Sequence, residues 1–309
     1  MIVALFCIMT YNSLTKTKRG VYMLTKEQFH EKIRSGLKYL DGATGSSLQK
    51  CGMPKGCCTE EWILANPQPL VALQRQYAQV GCQILYAPTF QAQPIALERV
   101  NLHKQTETVN AHLVALTRSA APGCLVAGDL TTLAAFCDSW DPDNFDLLVE
   151  NYRRQIRGLI DGGADLLAAE TLLYPQEAEA ILTAAELEQA GAVLYTFTMQ
   201  ADGSLFSGAD AAPILEELEQ SGAAAVGFNC VAADMMTPYL VSKLRRYVKG
   251  PLICKPNAGV PVISQSGLPE YSLDPQGFAE VIDQCRQNGA TLLGGCCGTT
   301  AEHMRAIIR

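Results

Sequence analysis

Three cysteines form the most chemically specific arrangement in the sequence. Cys296 and Cys297 lie side by side in "GGCCGTT", residues 294–300, and Cys230 ends the stretch "GFNC". Adjacent cysteines are poorly set up to bridge each other, and a core cysteine needs no wall of glycines. Thiolates are soft ligands that favour zinc. Closed structural zinc sites use four protein ligands, whereas three ligands with one open place suit catalysis. No C-x-x-C pair anchors the set, so two readings stand: an open zinc site on Cys230, Cys296 and Cys297, or core cysteines in a redox-sensitive loop. Consecutive strand residues face opposite ways, so Cys296 and Cys297 can share an ion only if the chain leaves strand geometry there. Gly294, Gly295 and Gly298 supply that freedom. Thr299, three residues before Glu302, reads as a capping box for a last helix.

Two carboxylates, Asp41 and Glu170, also end apolar runs. Beside a small-molecule pocket they could bind an ammonium group, and the Asp41-Gly42-Ala43-Thr44 turn could offer backbone N–H groups to a carboxylate. Together these would clamp an amino acid. Hydrogen bonding to neighbouring loops is the plainer reading of both.

These residues need elements that bring them together. Leu70, Leu73, Tyr77 and Val80 follow the helical period and stop at Gly81; Phe145, Leu148, Val149, Tyr152, Ile156, Leu159 and Ile160 do so between Asp143, a candidate cap, and Gly162. Short apolar runs with little alternation follow such helices, as expected of strands covered on both faces. From the glycine that ends each helix they read "GCQILYAPT", "GADLLAAET", "GAAAVGFNC" and "GATLLGGCC". Further runs end at Asp41 and near Asp129, Thr198 and Asn257. The resulting eight strands, with helices between most of them, predict an α/β fold, a parallel (β/α)8 TIM barrel with its chemistry at the strands' C-terminal ends. A doubly wound open sheet is the alternative, weakened because no G-x-G-x-x-G follows the first strand.

Composition narrows the function. The chain has 309 residues, 48% hydrophobic and 18% charged, with a net charge of −7. Without a basic cluster it is not expected to bind nucleic acid. Twelve cysteines scattered through a long chain suit a reducing, cytoplasmic setting. The opening "MIVALFCIMT" is too short to span a bilayer and has no basic region before it, so no membrane partner is expected. Met23 opens "MLTKEQFHEKI" as a natural start would, so residues 1–22 are read as a non-native or disordered extension and residues 23–309 as one barrel domain.

In order along the chain, "LDGATG", "PTFQAQ", "AGDL", "AAETL", "GFNC", "KPNAG" and "GGCCGTT" resemble the homocysteine S-methyltransferase family over roughly residues 35–309. The motifs look most like the homocysteine-binding domain of cobalamin-dependent methionine synthase. The resemblance implies zinc held by Cys230, Cys296 and Cys297 as the catalytic centre, with Asn257 as an added oxygen ligand when substrate is absent. It implies homocysteine bound by Asp41, Gly42, Ala43, Thr44, Glu170 and Asn229, its sulfur attacking a methyl donor as a zinc thiolate to form methionine. The favoured donor is methylcobalamin carried on a separate corrinoid protein. An S-methylmethionine-dependent homocysteine or selenocysteine methyltransferase is the second reading, and a non-catalytic zinc- or thiol-binding barrel subunit a third of another class. Thr171 stands where betaine-using members carry tyrosine, which disfavours betaine, and Pro88 stands where the family commonly has asparagine.

Overall fold

The computed structural model describes residues 23–263 and 269–308; the expected extension, residues 1–22, lies outside them. Seven strands form one parallel sheet in sequence order: β1 (Ile84–Tyr86), β2 (Leu125–Thr131), β3 (Leu166–Leu172), β4 (Val193–Phe197), β5 (Ala225–Ala232), β6 (Leu252–Asn257) and β9 (Leu292–Leu293). Residues 39–40 close the ring, Tyr39 bridging in parallel to Leu293 and Leu40 to Ile84. The eight staves of the expected (β/α)8 barrel are thus present. An antiparallel hairpin, β7 (Pro261–Ile263) and β8 (Pro269–Tyr271), follows β6.

Period-two alternation explains the two hydrophobic layers. Leu40, Ile84, Ala127, Leu166, Ala168, Leu194, Ala225, Ile253 and Leu292 fill the barrel interior. Their strand neighbours Val126, Leu167, Ala169, Val226 and Cys254 face outward and pack with helical residues such as Tyr152, Leu159, Ile181, Phe278 and Ile282. Both faces are buried, so the strands read as near-continuous apolar runs.

The helices are α1 (Lys26–Arg34), α2 (Gly45–Lys50), α3 (Thr59–Ala65), α4 (Pro67–Val80), α5 (Pro94–Leu97), α6 (Thr106–Ala120), α7 (Phe145–Asp161), α8 (Pro175–Leu187), α9 (Ala211–Gln220), α10 (Thr237–Arg245), α11 (Pro275–Gln287) and α12 (Ala301–Ile307). Helix α4 ends at Gly81 in the left-handed conformation, φ 106°, as its glycine predicts. Two expected caps are displaced. A 3₁₀ turn, Pro142–Asn144, precedes α7, and Asp141 rather than Asp143 caps it through the Asp143 N–H. Thr300, not Thr299, caps α12, with His303 as its reciprocal partner. Among the described residues no helix is long and apolar enough to cross a membrane.

Candidate active site at the C-terminal mouth of the barrel

Strand parity carries charged side chains into the barrel mouth. Ala127 and Ala168 point inward, so Asp129 and Glu170, two residues on, do too; Ile253 points inward and so does Lys255. With Asp41 they line a cavity of about 230 Å³ whose wall also holds Cys230, Cys296 and Cys297. A cavity of about 700 Å³ opens among Lys32, Arg75, Gln83 and Cys124 at the strands' N-terminal ends, but no residue of the mouth lines it. The chemistry converges on the smaller one.

The Sγ atoms of Cys230, Cys296 and Cys297 all lie within 4.8 Å of one another. Tetrahedral zinc–sulfur bonds of about 2.3 Å would set sulfurs roughly 3.8 Å apart, so this spacing fits one shared ion. Hydrogen bonds from the Cys230 and Cys296 thiols, and one from the Tyr271 hydroxyl of β8, hold Cys297 down at about 3 against the effect of burial. The same contacts push Cys230 far up. Asn257 ends β6 with its side-chain oxygen buried and unpartnered, beside the segment whose Ala258 N–H donates to Cys297 O at 2.9 Å. The donor set therefore suits a soft divalent metal with one place left open.

Irregular backbone places the three thiols. Strand β9 ends at Leu293, so Cys296 and Cys297 leave strand geometry as expected. The glycines act more by space than by freedom. A Cβ on Gly294 would come within 2.8 Å of Leu40 Cβ, and one on Gly295 would strike the Thr299 side chain. Gly298 alone of the three is left-handed, φ 82°, and a Cβ there would overlap the Tyr271 ring. Thr299, freed from the expected capping role, straps two parts of the site together. Its hydroxyl donates to Cys296 O at 2.7 Å and accepts from Ala43 N–H at 3.1 Å. One N–H of the expected carboxylate-binding turn is thereby occupied; Gly42 and Thr44 line the cavity beside it.

Cys230 and Thr171 are both left-handed, φ 58° and 60°, at the ends of β5 and β3. A β-branched residue rarely adopts this conformation, and such strain persists only where neighbours enforce it. The registers slip at both places, between Ala169 and Leu172 and between Asn229 and Ala232. Asn229 enforces the pair. Its Oδ1 accepts from Thr171 N–H at 2.7 Å, its Nδ2 donates to Thr171 Oγ1 at 2.7 Å, and Nδ2 lies 3.8 Å from Cys296 Sγ. Asn229 is not among the residues that line the cavity; its amide clamps Thr171 from behind it.

The charged cluster contains a residue absent from the sequence expectations. Lys255, 3% exposed, has Nζ 3.2 Å from Glu170 Oε2 and 3.8 Å from Asp41 Oδ1, and 4.6 Å from the centre of the Tyr86 ring. Burial works against its charge, but Glu170 and Asp41 outweigh it and hold the ammonium protonated. Burial pushes Asp41 up to about 7 despite Lys255 and the Tyr86 N–H, which donates to its Oδ2 at 2.8 Å. It also raises Glu170 and, more strongly, Asp129. A lysine inside the apolar run "PLICKPN" was the signal available, because a buried ammonium requires a carboxylate partner. Asp129 in "GCLVAGDL" carried the same signal. Glu60 of α3 also lines the cavity, accepting from Gln91 N–H at 2.8 Å and from the Cys58 thiol at 3.3 Å.

Residues 39–309 match the homocysteine S-methyltransferase family. Curated relatives include the methionine synthase of Mycobacterium leprae (strain TN), 26% identical over 291 residues, and that of Mycobacterium tuberculosis (strain ATCC 25618 / H37Rv), 25% identical over 288. Each match covers 86% of this chain but 24% of the relative, so the chain spans about a quarter of their length. Among solved structures, the metallated form of the homocysteine methyltransferase MmuM from Escherichia coli is similar with a TM-score of 0.75 and 24% identity, covering 90% of this chain and 98% of that one. The carboxyl transferase domain of Rhizobium etli pyruvate carboxylase shares the fold more distantly, with a TM-score of 0.52 at 17% identity. The motif order, the barrel and the match over residues 39–309 agree: this chain belongs to the homocysteine S-methyltransferase family.

Proposed function

We propose that this chain is a zinc-dependent homocysteine S-methyltransferase that forms methionine, with residues 23–309 as one catalytic domain. One observation carries the reading: three converging thiols and a set of buried charges suited to an amino acid share a single cavity. Cys230, Cys296 and Cys297 would hold the zinc, with Asn257 available as an oxygen ligand before substrate arrives. When bound, zinc would deprotonate a substrate thiol whose pKa is otherwise roughly 8.5, making it nucleophilic at neutral pH.

The chain's own residues do the positioning. Asp41 and Glu170 face the cavity with the Gly42-Ala43-Thr44 turn beside them, which supports an amino-acid clamp next to the cysteines. Asn229 fixes the strand ends that carry Glu170 and Cys230, holding clamp and thiols in register. Fixed placement of the sulfur relative to an incoming methyl group is worth several orders of magnitude in rate.

For the donor we favour methylcobalamin presented by a separate corrinoid protein, which the likeness to part of the methionine synthases supports. S-methylmethionine is the second donor, supported by the likeness to MmuM over nearly its whole length. Every cysteine among the described residues is unpaired, which supports a cytoplasmic location. The test is a donor screen on protein of measured zinc content, with homocysteine as acceptor and methionine as readout. Methionine from methylcobalamin alone selects the first donor, and methionine from S-methylmethionine alone the second. Homocysteine binding without methionine from any donor would instead identify a thiol-binding subunit.

A further inference from the structure

We propose that Asp129 is the acceptor that selects the substrate's ammonium group, and that Lys255 creates this role by filling the gap between Asp41 and Glu170; the inference rests on the amino-acid-thiol reading above. The gap between Asp41 and Glu170 is where a substrate ammonium would be expected to sit, but Lys255 Nζ is already there, 3.2 Å from Glu170 Oε2 and 3.8 Å from Asp41 Oδ1. The Tyr86 ring covers it at 4.6 Å. A second ammonium in the same gap would set like charges together in a dry interior, where repulsion is strongest.

Asp129 offers the alternative. It is 5% exposed and lines the cavity. Its backbone is fully used: the N–H donates to Thr89 Oγ1, and the C=O accepts from Thr89 Oγ1 and Gln155 Nε2. Its Oδ1 has no hydrogen-bond partner. Asp41 Oδ1 likewise lacks a hydrogen bond. Buried carboxyl oxygens left without a donor are costly, and both residues line the same cavity. Three acidic side chains thus surround a single lysine at the cavity. A ligand ammonium beside Asp129 would give its Oδ1 the donor it lacks, and an α-amino acid brings one. The site should therefore prefer zwitterionic amino-acid thiols to thiols that carry a carboxylate alone.

The test is calorimetric titration of the zinc-loaded full chain with homocysteine and with 4-mercaptobutanoate, which keeps the thiol and carboxylate but lacks the ammonium. Wild type should prefer homocysteine. Asp129→Asn should weaken homocysteine by about tenfold or more and leave 4-mercaptobutanoate unchanged, so that the preference collapses. Asp129→Ser removes the charge with less crowding and repeats the comparison if the asparagine variant loses its zinc. Equal weakening of both thiols, or no change with homocysteine, would overturn the assignment while leaving the amino-acid-thiol reading in place. Wild-type protein that binds neither thiol would overturn both together.

Discussion

Strands β6 and β9 border two groups of cysteines with opposite character. At the mouth, Cys296 and Cys297 meet Cys230 around an accessible cavity. Cys254 of β6, which pairs with Leu293 three residues before Cys296, faces outward and meets Cys285 of α11, both fully buried among Leu252, Phe278 and Ile282. The second pair sits in regular strand and regular helix, where burial pushes the Cys254 thiol well above its ordinary range. Proximity of thiols is common to both groups. The first also has a third thiol, a chain that has left strand geometry, a left-handed Cys230 and a tyrosine hydroxyl on Cys297. Backbone irregularity and access, more than the cysteines themselves, separate a candidate metal centre from core packing.

The sharpest way to break this contrast is to remove thiols from each group. Alanine at Cys230, Cys296 or Cys297 should abolish zinc retention and methyl transfer, measured by metal analysis and methionine formation. Cys254→Ala and Cys285→Ala should keep full zinc and cost about 1–2 kcal/mol in urea unfolding. Full activity in Cys297→Ala would sink the zinc assignment.

The same contrast holds for charges. Lys255 is locked between buried carboxylates, whereas Lys243 meets Asp210 at 3.1 Å with both side chains partly exposed. Lys255→Met should destabilise the fold by about 3–5 kcal/mol, because it strands buried carboxylates. Lys243→Met should cost about 1 kcal/mol or less. Comparable losses in the two variants would show that the mouth is wetter than its packing implies.

A smaller effect is read from pH. Burial raises Asp41 from its ordinary 3.8 to about 7 in the folded chain. The folded state therefore holds this proton more tightly than the unfolded one. Its contribution to stability is full below about pH 4 and is lost as pH rises through about 7. The slope for one proton is at most about 1.4 kcal/mol per pH unit. Chemical denaturation of wild type and Asp41→Asn between pH 5 and 8 should give a difference that shrinks as pH rises. A difference independent of pH would mean that Asp41 is ionised throughout.

The sequence carried the barrel and the thiol cluster because both rest on local patterns: a glycine stop, an apolar run, then polar residues at a fixed offset. Cys230, Cys296, Cys297 and Glu170 sit at such offsets, Asp41 ends a separate apolar run, and all five meet around one cavity. Lys255 and Asp129 were legible in principle, since a charge at an inward-facing position of a buried strand demands a partner, but choosing among partners requires the closed ring. Thr299 differed for a subtler reason. A shift of one residue moved the cap to Thr300, and tertiary contacts with Cys296 and Ala43 took the first threonine. Tyr271 arrives on a hairpin outside the strand–helix repeat, and no periodicity announces it. Asn229 belonged to the recognised motif, yet its amide turns away to serve the backbone of a neighbouring strand.

That amide has a further consequence. Asn229 ties the peptide just after Glu170 to the residue just before Cys230. On the proposed function, an amino acid bound beside Glu170 and an ion bound on Cys230 would pull on opposite ends of one short tether. Whatever one ligand gains from ordering the tether it passes to the other in equal measure, because coupling between two binding sites is reciprocal. Metal loading should tighten the grip on the amino acid, and saturation with amino acid should tighten the hold on the metal by the same factor. In Asn229→Ala the share of this coupling carried by the strand ends should be lost, leaving only what the bond between zinc and the substrate sulfur supplies.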